Sequence, residues 1–241
     1  MLFRSYNVYE NKFYDLLNYP TKDKKYLYTA LTGDILKPHN ISLIGLLKYY
    51  QLDKFGVYSS ILNEPITEQL ERDVLQNFTD GDQWWPHPAW NHFLTNDEAE
   101  FIMKNLGQIM VHKPLENSPH LDKNFVDGIT ERRYFQECRE SHYNYIQEVW
   151  NKMWPGVPVW YTEKTWKHIA NGTPFFILDK YSNKTLLNYG YEIFEELFDY
   201  SIEDVKDGRE VYKHVPNQIR EFAKNGIDSS NRRVKIGRAH V

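Results

Sequence analysis

The chain has 241 residues, with 29 Lys and Arg against 33 Asp and Glu, so its formal net charge is −4. This balance argues against a protein that coats nucleic acid or anionic lipid. Hydrophobic residues make up 41% and charged residues 26%, which is typical of a globular chain. Aromatic residues make up 16%, and such rings either fill a core or stack on sugars and bases.

Two features of the sequence bear on the compartment. Cys138 is the single cysteine, which favours a reducing environment. The longest strongly apolar stretch, 41–47, is far shorter than the roughly 20 residues of a membrane-spanning helix. We therefore expect a cytoplasmic protein that makes no membrane contact.

The first elements in chain order predict a β-α-β unit. Residues 24–30 have the composition of a strand, and residues 55–59 that of a second strand. Between them, Asn40 is placed to cap a helix whose apolar residues recur at helical spacing up to Tyr50. Such a unit implies a parallel sheet with a right-handed crossover.

Helix and strand patterns continue to residue 190. Helices are predicted over 67–78, from the Thr95–Glu98 capping box to about Gln108, over 163–171 and over 182–189. Strands are predicted over 143–150 and over the wholly apolar run 174–178. The Pro-rich and irregular stretches between them divide the chain into halves at 1–118 and 119–235. The last residues, 236–241, match what a sequencing adapter encodes in one reading frame, and we expect them to be an artefact.

The segment that begins at Tyr161 has the composition of an anion-binding helix start. Thr162 is placed to cap a helix, whose free backbone N–H groups favour an anion. Lys164 and Lys167 are three residues apart and can add positive charge on one helix face, while Glu163 can accept hydrogen bonds from ribose hydroxyls. On spacing alone, an ordinary capped helix with an exposed charged face is the favoured interpretation.

The same segment resembles the donor-binding motif of fucosyltransferase-like glycosyltransferases, and in particular those of large tailed phages. The motif is Thr-Glu-Lys-Thr-Trp-Lys-x-Ile at 162–169, followed by Gly172 and by Pro174-Phe175. Further similarity covers most of 24–60 and 140–202, whereas residues 178–180 replace a glycine-containing loop of that family.

The resemblance implies an α/β fold of two small Rossmann-like halves (GT-B-like), with parallel sheets covered by helices on both faces. It implies a nucleoside-diphosphate sugar as donor substrate, with neither a metal nor a further cofactor. By carry-over, Glu163 would hold the ribose, Lys164 would neutralise the diphosphate and Thr162 would cap the helix. Lys167 and Glu148 also stand at matching positions of the donor side.

Sugar transfer also needs a base that takes a proton from the acceptor hydroxyl. Asp34 follows the first predicted strand, where catalytic groups gather, and Glu64 and His39 are alternatives. The acceptor stays open between a glycan, a protein and a modified DNA base. Two other interpretations are a non-catalytic nucleotide-sugar or glycan-binding protein, and a phage interaction protein with the same fold. The resemblance places the protein in the host cytoplasm.

Overall fold

The computed structural model describes part of the chain, and every structural statement below concerns that part. The described residues are 24–34, 36–61, 65–80, 93–110, 138, 140–147, 161, 165–166, 168–169, 173–178, 181–191, 193–195, 197–204 and 210–225. Four strands lie within them: β1 (Tyr26–Asp34), β2 (Gly56–Ile61), β3 (Ser141–Ile146) and β4 (Phe175–Ile177). The helices are α1 (Pro38–Tyr49), α2 (Glu68–Asp80), α3 (Asn96–Lys104), α4 (Leu106–Ile109), α5 (Ser182–Asn188) and α6 (Glu210–Asn225), with a 3₁₀ helix at Tyr200–Asp204.

The four strands form one parallel sheet in the order β2-β1-β3-β4. Tyr28 of β1 lies opposite Gly56 of β2 and Tyr143 of β3, which fixes the register. The predicted β-α-β unit and the α/β class are therefore confirmed. Because β1 and β3 come from different predicted halves and pair directly, the described strands give one shared sheet, and the division into two Rossmann-like halves is not confirmed.

One face of the sheet carries large aromatic side chains that alternate along the strands, as the two-residue period of a strand requires. The ring centroid of Tyr145 lies 6.5 Å from that of Tyr28 and 6.4 Å from that of Phe176, and all three side chains are fully buried. The phenol of Tyr28 donates to Leu52 O at 3.3 Å. A Cβ on Gly56 would lie 2.4 Å from the Tyr28 ring, so the close approach of β2 to this ring requires glycine.

Helix α1 lies in the interior of the described structure. Its residues 40–47 are all buried, because it packs against β1, α3 and α6. The prediction that Asn40 caps this helix is wrong: the helix begins at Pro38, and Asn40 is 1% exposed inside it. Proline fits the first helical position because the N–H that it lacks would have had no partner within the helix.

Two other helix boundaries follow from local hydrogen bonds. The side-chain amide of Asn105 donates to Phe101 O at 2.7 Å, and α3 ends at Lys104. The helix predicted to run to Gln108 is therefore two helices, α3 and α4. Gly190 follows α5 with φ of 85°, which confirms it as the predicted helix stop.

Helix α6 was not predicted, although its sequence carries a usable pattern. Val211, Val215 and Ile219 are spaced by four residues and are all 0% exposed, which is one buried helix stripe. Pro216 lies inside the helix and normally indicates a helix boundary. The burial of this stripe against α1 and β1 outweighs the hydrogen bond that proline removes.

Candidate functional site

The carboxyl edge of the sheet contains the position at which open α/β sheets bind ligands. The chain passes from β1 to β2 on one side and later to β3 on the other, so the strand order reverses between β1 and β3. Ligands of such sheets bind in the crevice outside the carboxyl ends at this switch point. Leu31 lies opposite Ile146, and Asp34 ends β1 beyond that pair. The predicted base Asp34 therefore lies at the switch point.

His39 lies at the same edge, in the first turn of α1. Its ring centroid is 5.4 Å from that of Tyr212, and the Tyr212 hydroxyl donates to Leu178 O at 3.3 Å, directly after β4. The first turn of α1 contains no acidic residue. Asp34 and His39 are thus two predicted catalytic candidates that one edge brings together.

The remaining predicted site residues lie outside the described residues: Glu64, Glu148, Thr162, Glu163, Lys164 and Lys167. Gln147 precedes Glu148 in the sequence, follows the end of β3 and is 5% exposed. The predicted boundary near residue 118 and the suspected artefact at 236–241 also fall outside.

Aromatic contacts join the described part of the donor motif to α5. The Tyr161 hydroxyl donates to Ser182 O at 2.6 Å, and its ring centroid lies 5.9 Å from that of Trp166 and 6.5 Å from that of Tyr189. The Trp166 and Tyr191 ring centroids are 5.7 Å apart. The Tyr189 side chain is 65% exposed, so this aromatic group presents a ring to solvent.

A buried polar chain joins the motif helix to the sheet. Thr165, Trp166, His168 and Ile169 have helical backbone. The Nδ1 atom of His168 lies 2.9 Å from Thr173 Oγ1, and its Nε2 atom lies 3.7 Å from Cys138 Sγ. Because Cys138 is 0% exposed, its thiol is a packing group in this structure.

A groove of about 780 Å³ lies between α6 and the segment 195–204. We call it the α6 groove. Its lining combines carboxylates, side-chain amides and aromatic rings, and includes Asp199, His214, Asn217, Gln218 and Phe222. No local sequence pattern predicts this groove, because it forms only when α6 packs beside a segment with no regular pattern of its own.

Two titratable groups of the α6 groove have shifted pKa values. Hydrogen bonds from the Ser201 side chain and backbone lower the pKa of Asp199, so this carboxyl is ionised at neutral pH. Burial lowers the pKa of His214 although the charge of Asp199 opposes that shift, so this imidazole is neutral. The groove thus presents a fixed negative charge beside a neutral ring.

Comparison of the chain with models of protein families, with curated proteins and with solved structures gave no significant match. Within the described ranges, no group of three or more His, Cys, Asp or Glu side chains is arranged to hold a metal ion. No helix among the described residues is long and apolar enough to cross a membrane.

Proposed function

We propose that this protein is a glycosyltransferase that moves a sugar from a nucleoside diphosphate to an acceptor hydroxyl. The observation that carries the proposal is the parallel sheet whose order reverses between β1 and β3, with Asp34 and His39 at its carboxyl edge. A crevice at this position is where α/β proteins take nucleotides. The carboxylate of Asp34 is the proposed base that takes the proton from the acceptor hydroxyl.

The donor is proposed to bind at the motif that starts at Tyr161. Thr162, Glu163 and Lys164 carry the resemblance, and Lys167 and Glu148 are proposed to complete the donor side. The exposed Tyr189 ring, 6.5 Å from Tyr161, offers a stacking surface for the base of the nucleotide. Charge on the leaving diphosphate would be neutralised by the lysines and by helix N–H groups.

The two-lobed arrangement and the location in the host cytoplasm are finer parts of the same proposal. Since β1 and β3 share one sheet, separate lobes would need a second sheet built from residues outside the described ranges. The transfer chemistry at the shared carboxyl edge does not depend on that second sheet.

Donor binding is tested by thermal unfolding with UDP and GDP. A bound ligand raises stability by RT ln(1 + [L]/Kd), so a nucleotide that fits will raise the melting temperature in proportion to the logarithm of its concentration. Lys164→Met should abolish the rise, whereas Lys104→Met, which changes an exposed lysine paired with Glu100, should keep it. No rise with either nucleotide at millimolar concentration contradicts the proposal.

Catalysis is tested by hydrolysis and transfer from UDP- and GDP-sugars. Asp34→Asn should lower the turnover rate about a hundredfold or more, as expected for the loss of a general base. Nucleotide binding should be unchanged. Asp53→Asn is the matched control, because Asp53 precedes β2 at the opposite end of the sheet. Donor binding with no turnover by the wild type would favour the non-catalytic binding protein instead.

A further inference from the structure

The α6 groove presents two amide donors whose orientation is fixed. The Oε1 atom of Gln218 accepts from the Tyr145 hydroxyl at 3.0 Å, and the Oδ1 atom of Asn217 accepts from Arg220 Nη2 at 3.2 Å. These bonds leave the two amide nitrogens as the free ends. Within the described part of the chain, neither nitrogen has a hydrogen-bond partner, and both residues line the groove. Gln218 is only 9% exposed, so its amide serves the groove rather than the outer surface.

Carboxylates also line the groove. Four acidic residues line the groove, together with a single lysine; they are Glu195, Asp199, Asp204, Glu221 and Lys184. Lys184 is paired with Asp204 at 2.5 Å, and Glu221 is paired with Lys224 at 3.0 Å. Glu195 remains as an acceptor, and Asp199, which accepts from Ser201, keeps further lone pairs. This charge repels phosphate groups, so the groove is not suited to a nucleotide.

The mixture of donors and acceptors selects a ligand class. A cationic ligand would gain from the carboxylates but would meet the amide N–H groups of Asn217 and Gln218 with the wrong polarity. A hydroxyl group both donates and accepts, so vicinal hydroxyls can satisfy both kinds of group at once. Phe222, stacked on Tyr143 with ring centroids 4.0 Å apart, adds a flat apolar wall for the C–H face of a sugar ring.

We propose that the α6 groove binds a neutral sugar residue. Its volume of about 780 Å³ lies within the range of roughly 300–1,000 Å³ that is usual for small-molecule sites. The proposal concerns a site separate from the carboxyl edge. It does not rest on the transferase proposal, since binding at the groove needs no nucleotide.

The test is saturation-transfer NMR on the full chain with neutral methyl glycosides of glucose, galactose, mannose, N-acetylglucosamine, fucose and rhamnose. At least one should receive saturation. Asn217→Asp keeps the acceptor for Arg220 and the side-chain shape but replaces the donor, and should weaken binding about tenfold. Asn188→Asp adds the same charge on the exposed end of α5, outside the groove lining, and should leave binding unchanged.

A second variant and a second ligand keep the outcome unambiguous. Glu195→Gln replaces one acceptor oxygen at an exposed position, where a substitution does not disturb folding. It should weaken glycoside binding several-fold. Spermidine is the cationic probe, and Asn217→Asp should strengthen its binding if the groove is a cation site. Spermidine binding with no glycoside signal overturns the proposal, as does the absence of saturation transfer to every glycoside. All measurements omit nucleotide, so failure of the transferase proposal leaves this result unaffected.

Discussion

Glu98 and Glu203 are equally buried, each 1% exposed, yet their pKa values shift in opposite directions. Burial raises the pKa of both carboxyls. For Glu98, hydrogen bonds from Tyr50, the Thr95 backbone and Lys213 outweigh burial and lower the pKa. For Glu203, burial prevails over the hydrogen bonds from Asn183 and Lys184 N–H and raises the pKa to about 7.

The two carboxylates have different partners. Glu98 Oε2 lies 3.0 Å from the ammonium group of Lys213 and accepts from Thr95 N at 2.7 Å. Among the described residues, the donors to Glu203 are all neutral: the backbone N–H and side-chain amide of Asn183, at 3.0 and 2.6 Å, and the backbone N–H of Lys184, at 3.2 Å. For Glu98 the Tyr50 hydroxyl and the Thr95 N–H lower the pKa most, and the contacting ammonium group of Lys213 lowers it further.

Removing the Lys213 cation should raise the pKa of Glu98 towards that of Glu203, and this is the largest effect that we expect. Lys213→Met keeps the aliphatic stem but leaves a buried carboxylate without its counter-ion. Loss of one partner of a buried pair costs about 3 kcal/mol of unfolding free energy at neutral pH. Urea unfolding measures the loss. Because the pKa of Glu98 would then be raised, the difference from the wild type should shrink as the pH falls.

Lys104→Met is the control for this prediction. Lys104 pairs with Glu100 at 2.5 Å, but both side chains are more than half exposed, so its loss should leave the stability almost unchanged. Equal losses from the two variants would contradict the role given to Lys213.

The second effect is a pH dependence that comes from Glu203. A carboxyl whose pKa is higher in the folded than in the unfolded protein stabilises the fold at low pH, and this contribution is lost as pH rises through about 7. Between about pH 5 and about pH 8 the wild type should lose on the order of 2 kcal/mol more than Glu203→Gln, which cannot ionise. Denaturant unfolding at a series of pH values measures both slopes, and identical slopes would refute the assignment.

The two carboxylates also differ in how far the sequence predicts them. Thr95 and Glu98 form a capping box that the structure confirms, because both halves of that motif lie within four consecutive residues. Tyr50 is 48 residues away and Lys213 belongs to α6, so no local pattern identifies them as partners. Glu203 belongs to no motif, and its partners on α5 are brought to it by tertiary packing.

The same division holds for the candidate sites. The β-α-β pattern predicts Asp34 and His39 near the end of the first strand, because the chain order of these elements is local. The α6 groove depends on the packing of Asn217 and Gln218 beside residues 195–204. Pro216 lies inside α6 and normally indicates a helix boundary, which works against predicting this helix. Sequence reasoning therefore reached the site set by strand order and missed the one set by helix packing.

The third effect concerns the Tyr50 hydroxyl, a neutral group that donates a hydrogen bond to Glu98. Tyr50→Phe removes the hydroxyl that donates to Glu98 Oε1 while keeping the ring, which lies 4.7 Å from the guanidinium of Arg220. A hydrogen bond to a charged group contributes about 1.5 kcal/mol, so the loss should be about half of that for Lys213→Met. Tyr49→Phe is the matched control. Its hydroxyl makes no hydrogen bond to any described residue, so a loss equal to that of Tyr50→Phe would contradict this role.

The smallest effect concerns the capping box that Thr95 and Glu98 form at the start of α3. Thr95→Ala removes the hydroxyl that accepts from Glu98 N at 3.3 Å, so the helix start loses its cap and the backbone that carries Glu98 is held less firmly. Loss of such a cap costs about 1 kcal/mol, measurable by urea unfolding. Thr67→Ala is the control, since its hydroxyl accepts from Leu70 N at 3.1 Å at the start of α2 beside no buried carboxylate, and it should cost roughly 0.5 kcal/mol. If Thr67→Ala cost as much, the Thr95 hydroxyl would contribute no more than an ordinary cap, while Thr95 N would still donate to Glu98 Oε2 at 2.7 Å.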